Sequence, residues 1–202
     1  MTLIIALPHK DGLVMASDLL SAGIYDKRKF RREQRKLCYS KDVIVGFQGH
    51  AYSEIYSFVL KRLETLFSKY NVEELLETKI REFTSKVNRE MKLNQKSCTE
   101  LPLHLHYLIG CNRNGNFEVW DDHGDGRPLQ PLEGGIISTR GPLPSKYLDG
   151  PLNETVNIAK AVARTHLEQP EDYSGLEILL MRRDRTKRIA YKPLGTSIGK
   201  MY

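Results

Sequence analysis

The residues that could do chemistry begin at the second position. Thr2 follows Met1 directly. Threonine is small, so an aminopeptidase is expected to remove Met1 and leave Thr2 with a free α-amine. One residue then carries both a hydroxyl nucleophile and a base within its reach. An α-amino group has an unperturbed pKa of about 7.7–8 and exchanges protons near neutral pH. A hydroxyl attacks poorly until such a base activates it. Asp18 is the second candidate. An apolar strand over residues 3–7, a turn at His9-Lys10-Asp11-Gly12 and a return strand over residues 13–17 form a hairpin, which carries Asp18 back beside residue 2. An ordinary first strand also fits a chain that starts Met-Thr, so the segments beyond this hairpin must decide.

The elements that must position these groups can be read in order. A basic segment, residues 26–36, holds Lys27, Arg28, Lys29, Arg31, Arg32, Arg35 and Lys36. It suits a solvated hairpin or a rim that attracts acidic substrate, and also contact with phosphates; the first pair is preferred, and nucleic acid is not expected as a partner. Residues 36–39 and 43–47 read as strands around a turn at Ser40-Lys41-Asp42, with Gly49 closing the second. Helical spacing follows twice: Ile55, Phe58, Val59, Leu63, Leu66 and Phe67 on one face, then Val72, Leu75, Leu76, Ile80, Phe83, Val87 and Met91. Residues 104–110 and 117–120 are strands around a hairpin turn at Asn112–Asn116. Gly134–Gly141 reads as a short strand ending in a small-residue loop. Val156, Ala159, Val162, Ala163 and Leu167 mark a third helix. Residues 176–181 and 188–192 form a last hairpin, and the tail after Pro193 has no pattern of order. Strands, two helices, strands, helix, strands, with no βαβ alternation, predict an α+β chain of antiparallel sheets with grouped helices.

Other polar constellations say less. His104 and His106 share a strand face and could pair on a metal, but no third ligand is evident and no metal is expected. The loop Asp121-Asp122-His123-Gly124-Asp125-Gly126 lacks the glutamate of a calcium loop and reads as a turn. Cys38, Cys98 and Cys111 are widely spaced, an odd set without CxxC pairs, which suits structural thiols. No cofactor is implied. The 202 residues suit one domain spanning the whole chain. With 40% hydrophobic and 28% charged residues, no apolar run near the ~20 residues of a membrane span and no signal-peptide pattern, a cytoplasmic location is expected. The net charge of +6 resides largely in the basic segment.

Taken together, Thr2-Leu3-Ile4-Ile5-Ala6, Lys10-Asp11-Gly12-Leu13-Val14-Met15-Ala16-Ser17-Asp18, Arg35-Lys36-Leu37 and Gly46-Phe47-Gln48-Gly49 resemble the β-type subunits of the 20S proteasome and the related bacterial peptidase HslV, of the N-terminal nucleophile hydrolase superfamily. The likeness spans most of the chain and is strongest over residues 2–49. The resemblance implies a four-layer αββα sandwich: two stacked antiparallel sheets flanked by helices. It implies a threonine endopeptidase with Thr2 as nucleophile, Lys36 as the lysine that favours its activated form, Asp18 as the carboxylate that holds that lysine, and Gly49 as an oxyanion donor. Arg35 rivals Lys36, because the segment after Asp18 is two residues longer than is usual in the family; arginine is no proton carrier, which favours Lys36. Thr139 stands at the family's amine-binding serine, and Glu171 and Ser174 at its Asp-x-x-Ser positions. Gln34, Cys38, Phe47 and Ala51 would line the pocket for the residue before the scissile bond, with Phe47 limiting it to small or medium side chains. Partners implied are peptide or unfolded protein as substrate, further copies of the chain in a closed ring, and an ATP-dependent unfoldase. On this resemblance, the start at Met1-Thr2 is expected to be closer to HslV and simple proteasome homologues than to processed proteasome subunits. The alternatives are an acyl-transfer variant of the same chemistry and a non-catalytic module binding an acidic partner or nucleic acid.

Overall fold

The computed structural model describes residues 3–25, 28–50, 53–93, 104–132, 135–138, 157 and 176–191. The chain runs β1 (Leu3–His9), β2 (Gly12–Asp18), β3 (Leu20–Tyr25), β4 (Arg28–Glu33), β5 (Leu37–Tyr39), β6 (Val43–His50), α1 (Ser53–Phe67), α2 (Val72–Glu74), a π-helical turn (Leu75–Lys79), α3 (Ile80–Leu93), β7 (His104–Arg113), β8 (Asn116–Asp122), β9 (Gln130–Leu132), β10 (Gly135–Ser138), β11 (Leu176–Met181) and β12 (Thr186–Tyr191). These form two five-stranded sheets, ordered β10-β1-β2-β11-β12 and β5-β6-β7-β8-β9, and a separate β3–β4 hairpin. All pairings are antiparallel. The class is therefore α+β.

Apolar strands explain the layering. In β1 and β2 every side chain but Pro8 is buried, so both faces of this hairpin leave water. Strand alternation sends Ile4, Ala6, Leu13 and Met15 one way, where they meet Leu37, Ile44, Leu108 and Val119 of the other sheet. Leu3, Ile5, Leu7, Val14 and Ala16 lie on the opposite face and are equally buried. The far face of the second sheet, with Val45, Phe47, Tyr107 and Ile109, packs against Tyr56, Val59 and Leu63 of α1 and Ile80, Val87 and Met91 of α3. Full burial of each such side chain stabilises by about 1.5–3 kcal/mol, so the contacts between layers hold the sandwich together.

Several expectations shift in detail. The buried stripe of α1 is Tyr56, Val59 and Leu63; Phe58 is 44% exposed, with the Arg62 guanidinium over its ring at 5.5 Å from the centroid. The second helical run is not uniform. It starts at a capping box, with Asn71 accepting from the Glu74 N–H and the Glu74 carboxylate accepting from the Asn71 N–H. It then widens to a π turn, closed by the Ile80 N–H donating to the Leu75 carbonyl. The basic segment contributes β4 to a hairpin whose other strand, β3, was not expected. Nor was β9, a three-residue edge strand through Pro131, where a missing N–H is tolerated. The expected third helix lies, Asn157 apart, outside the described residues, as does the tail. No helix among the described residues is long and apolar enough to cross a membrane.

Candidate active site

The β1–β2 hairpin pairs Ile4 with Ser17, which sets Asp18 opposite Leu3 at the hairpin's open end. There the Asp18 carboxylate is used on both oxygens. Oδ1 accepts from the Leu3 N–H at 2.6 Å, and Oδ2 accepts from the Lys36 Nζ at 2.6 Å. Asp18 is 1% exposed and Lys36 is 0% exposed. Burial pushes the Lys36 ammonium below the ordinary lysine range, while the adjacent Asp18 carboxylate pulls the other way. The Lys36 carbonyl accepts from the Phe47 N–H at 3.1 Å, so the lysine is fastened to β6 just before Gln48 and Gly49. One short chain of hydrogen bonds thus joins the residue after Thr2, the end of β2 and the end of β6.

Arg35 and Lys36 take different partners, and only Lys36 reaches Asp18. Arg35 turns to Glu177 of β11, with Nε 3.6 Å from Oε1, and donates from Nη2 to the Leu37 carbonyl. Glu177 is held more closely by Arg188, at 2.6 Å. Burial raises the Glu177 carboxyl, and both guanidiniums oppose that rise.

Gly49 has φ +146°, and a Cβ there would fall 1.9 Å from the His104 carbonyl oxygen. Only glycine fits this backbone. Its carbonyl accepts from the Tyr56 hydroxyl at 3.0 Å. Tyr56 was missed by the sequence reading, which counted its neighbours Ile55 and Phe58 instead. The signal was present: Tyr56, Val59 and Leu63 are spaced i, i+3, i+7. Burial, and then the Asp18 charge, raise the Tyr56 phenol, so the hydroxyl stays a donor.

Of the remaining candidates, Gln34 is partly exposed, and its backbone N–H donates to the Leu19 carbonyl at 2.7 Å. Cys38 and Phe47 are fully buried in the layer between the second sheet and α1. The Cys38 thiol faces the Leu60 carbonyl at 3.7 Å, and Phe47 stacks at a tilt 5.2 Å from Tyr56. Burial pushes the thiols of Cys38 and Cys111 up to about 12, so both are protonated and inert. Thr2, Ala51, Thr139, Glu171 and Ser174 lie outside the described residues. Nearby positions are described: Ser138, next to Thr139, pairs with Leu3, and Leu176, two residues past Ser174, pairs with Asp18.

A second polar cluster was only half expected. His104 and His106 do share a strand face, and β8 supplies what the sequence reading lacked. Asp121 Oδ1 lies 2.5 Å from His106 Nε2, and Asp121 Oδ2 lies 3.4 Å from His123 Nε2. The two imidazoles stack with centroids 4.5 Å apart. The signal lay in the turn. Asn114 and Gly115, with φ 53° and 90°, make the two-residue loop between Arg113 and Asn116. Counting outward from that pair sets His123 across from His106.

No protein-family model matches the chain, and no characterised protein matches its sequence.

Proposed function

We propose that the chain is a threonine-type endopeptidase resembling a proteasome β subunit, with Thr2 as its N-terminal nucleophile once Met1 is removed. The observation that carries this reading is the double use of Asp18, which holds both the Leu3 N–H and the Lys36 Nζ. It sets a buried lysine within one carboxylate's width of the residue joined to Thr2. In the proposed reaction the Thr2 hydroxyl attacks a peptide carbonyl and its proton passes to the Thr2 amine. The oxyanion is met by the Gly49 N–H. Collapse breaks the C–N bond, the amine returns the proton to the leaving nitrogen, and an ester to Thr2 remains. Water, deprotonated by the same amine, releases the acid. Lys36 favours the deprotonated hydroxyl throughout.

Thr139, Glu171 and Ser174 are assigned to the terminal amine's surroundings. The pairings of Ser138 with Leu3 and of Leu176 with Asp18 support Thr139 and Ser174. Gln34 and Ala51 are assigned to the substrate pocket; Cys38 and Phe47, both fully buried, would back it rather than touch substrate. The four-layer αββα arrangement belongs to the same reading. It is supported by the burial of Leu3, Ile5, Val14 and Ala16 on the face of the first sheet turned away from the second. A homo-oligomeric ring, served by an ATP-dependent unfoldase, is proposed with it.

The test is the intact mass of the purified protein with and without a peptide epoxyketone, a reagent that needs both the hydroxyl and the amine. Loss of Met1 and one adduct per chain, absent in Thr2→Ala, is the expected result. A chain that keeps Met1, or a processed chain that takes no adduct, overturns the proposal.

A further inference from the structure

The geometry points to a second site, independent of the peptidase reading: His106, Asp121 and His123 form a three-ligand site for a first-row divalent cation of the zinc class. The ligands come together by strand geometry. Asp121 is the penultimate residue of β8, and His123 lies just past the strand's end, in the loop that follows. The β7–β8 register, with Tyr107 opposite Asp122, sets His106 across from them. Each histidine directs its Nε2 at the same carboxylate, and one ligand atom from each of the three residues lies within 4.8 Å of the other two. Tetrahedral zinc, with Zn–N and Zn–O distances of about 2.0–2.2 Å, needs ligand atoms roughly 3.3 Å apart. Taking up the ion therefore opens the 2.5 Å contact between His106 and Asp121 and draws in His123, whose half-exposed side chain has room to rotate.

The donor set is right for the ion. Two imidazoles and one carboxylate suit zinc-like ions rather than calcium or magnesium, which take oxygen ligands. The side chains of His106, Asp121 and His123 are 25%, 16% and 51% exposed, so the site is open on one side, leaving room for a water as fourth ligand.

The backbone under the ligands is fixed from the opposite face. Asp122, 3% exposed, accepts from the Thr84 hydroxyl at 2.6 Å and from the Gly124 N–H at 2.7 Å. Asn88 of α3 donates from Nδ2 to the carbonyls of Leu105, His123 and Gly124, and its Oδ1 accepts from the Leu105 N–H. These bonds hold both the β7 strand between His104 and His106 and the loop that carries His123. Such support of the ligand-bearing backbone is what a preorganised metal site needs. The cluster also flanks the proposed catalytic end, because Gln48 pairs with His106 and Gly49 with Leu105.

The experiment is calorimetric titration of the tag-free, chelator-treated full chain with zinc chloride, for the wild type, His123→Ala and Asp121→Asn. Both substitutions are at partly exposed side chains, and circular dichroism checks that each variant is folded. One zinc per chain, weakened by more than roughly 10–100-fold in each variant, is the expected result. No saturable binding by the wild type, or binding unchanged in the folded variants, overturns the site.

Discussion

Two carboxylates at one end of the sandwich do opposite things with the same chemistry. Asp18 and Asp121 each face basic side chains; Asp18 ends β2, and Asp121 is the penultimate residue of β8. Asp18 is sealed: its ion pair with Lys36 has side-chain exposures of 1% and 0%. Asp121 is open: its partners His106 and His123 are 25% and 51% exposed. Water decides what each can do. A sealed pair cannot be rearranged without stranding a charge, so it fixes geometry and shifts proton affinities. An open cluster is held weakly enough that an incoming ion can replace its hydrogen bonds with ligand bonds. In the proposed readings the first positions a nucleophile and the second takes up a metal.

The sharpest way to break this contrast is Asp18→Ala. It removes the carboxylate facing a fully buried ammonium and the acceptor of the Leu3 N–H. Removing one member of a buried ion pair costs about 3–5 kcal/mol, so the variant is expected to unfold at much lower urea than the wild type. A loss under about 1 kcal/mol, no larger than that of an exposed pair, would mean that the pair is solvated and the contrast false.

Gly49→Ala comes next. A side chain at φ +146° is strained by about 1–3 kcal/mol, and its Cβ would meet the His104 carbonyl at 1.9 Å, so β6 and β7 must part at their ends. Thermal denaturation is expected to show a clear loss of stability. An unchanged melting temperature would show that these strand ends already yield, and with them the link between Gly49 and the histidine cluster.

How much of this was legible depends on which forces are local. The β1–β2 hairpin was readable from five apolar residues, a turn and a return strand, and with it the return of Asp18 to the start of β1, where it meets the Leu3 N–H. The pairing of Lys36 with Asp18 was not readable from periodicity, because it spans two sheets; it came from the resemblance, and the structure sets the two 2.6 Å apart. His104 and His106 were seen on one face, yet their partners were overlooked because the register was not counted out from Asn114-Gly115. Phe58 and Tyr56 were exchanged on α1, since both fit an apolar stripe and only the packed sheet chooses between them. β9 was missed because Pro131 argues against a strand except at an edge, and edges are a property of the assembled sheet.

Asp121→Asn is the counterpart of Asp18→Ala. Exposed and half-exposed pairs contribute about 0–1 kcal/mol, so without zinc this variant is expected to unfold within about 1 kcal/mol of the wild type. The same substitution should abolish any rise in melting temperature on adding zinc. A loss as large as that of Asp18→Ala would make Asp121 a structural residue and not a waiting ligand.

Asp122→Asn refines the comparison within one loop, since Asp122 is next in sequence to Asp121 but faces the helices. Burial raises its carboxyl above the ordinary value, with the Thr84 hydroxyl and the Gly124 N–H opposing. A group whose folded pKa is raised contributes stability that is full below its unfolded pKa and is lost as pH rises through the folded value. Wild-type stability relative to Asp122→Asn should therefore be greatest in acid and decline toward neutral pH. Asparagine keeps an acceptor for Gly124 and can donate to the Thr84 oxygen, so the neutral-pH difference is expected to be small. Urea unfolding of both proteins at a series of pH values from acid to neutral reads the slope directly. A difference that does not change with pH, or that changes with the opposite sign, would mean that the carboxylate remains charged at no cost in its buried site. The loop would then be held by the ionised form, and the support beneath His123 would be electrostatic rather than a matter of shape and hydrogen bonding.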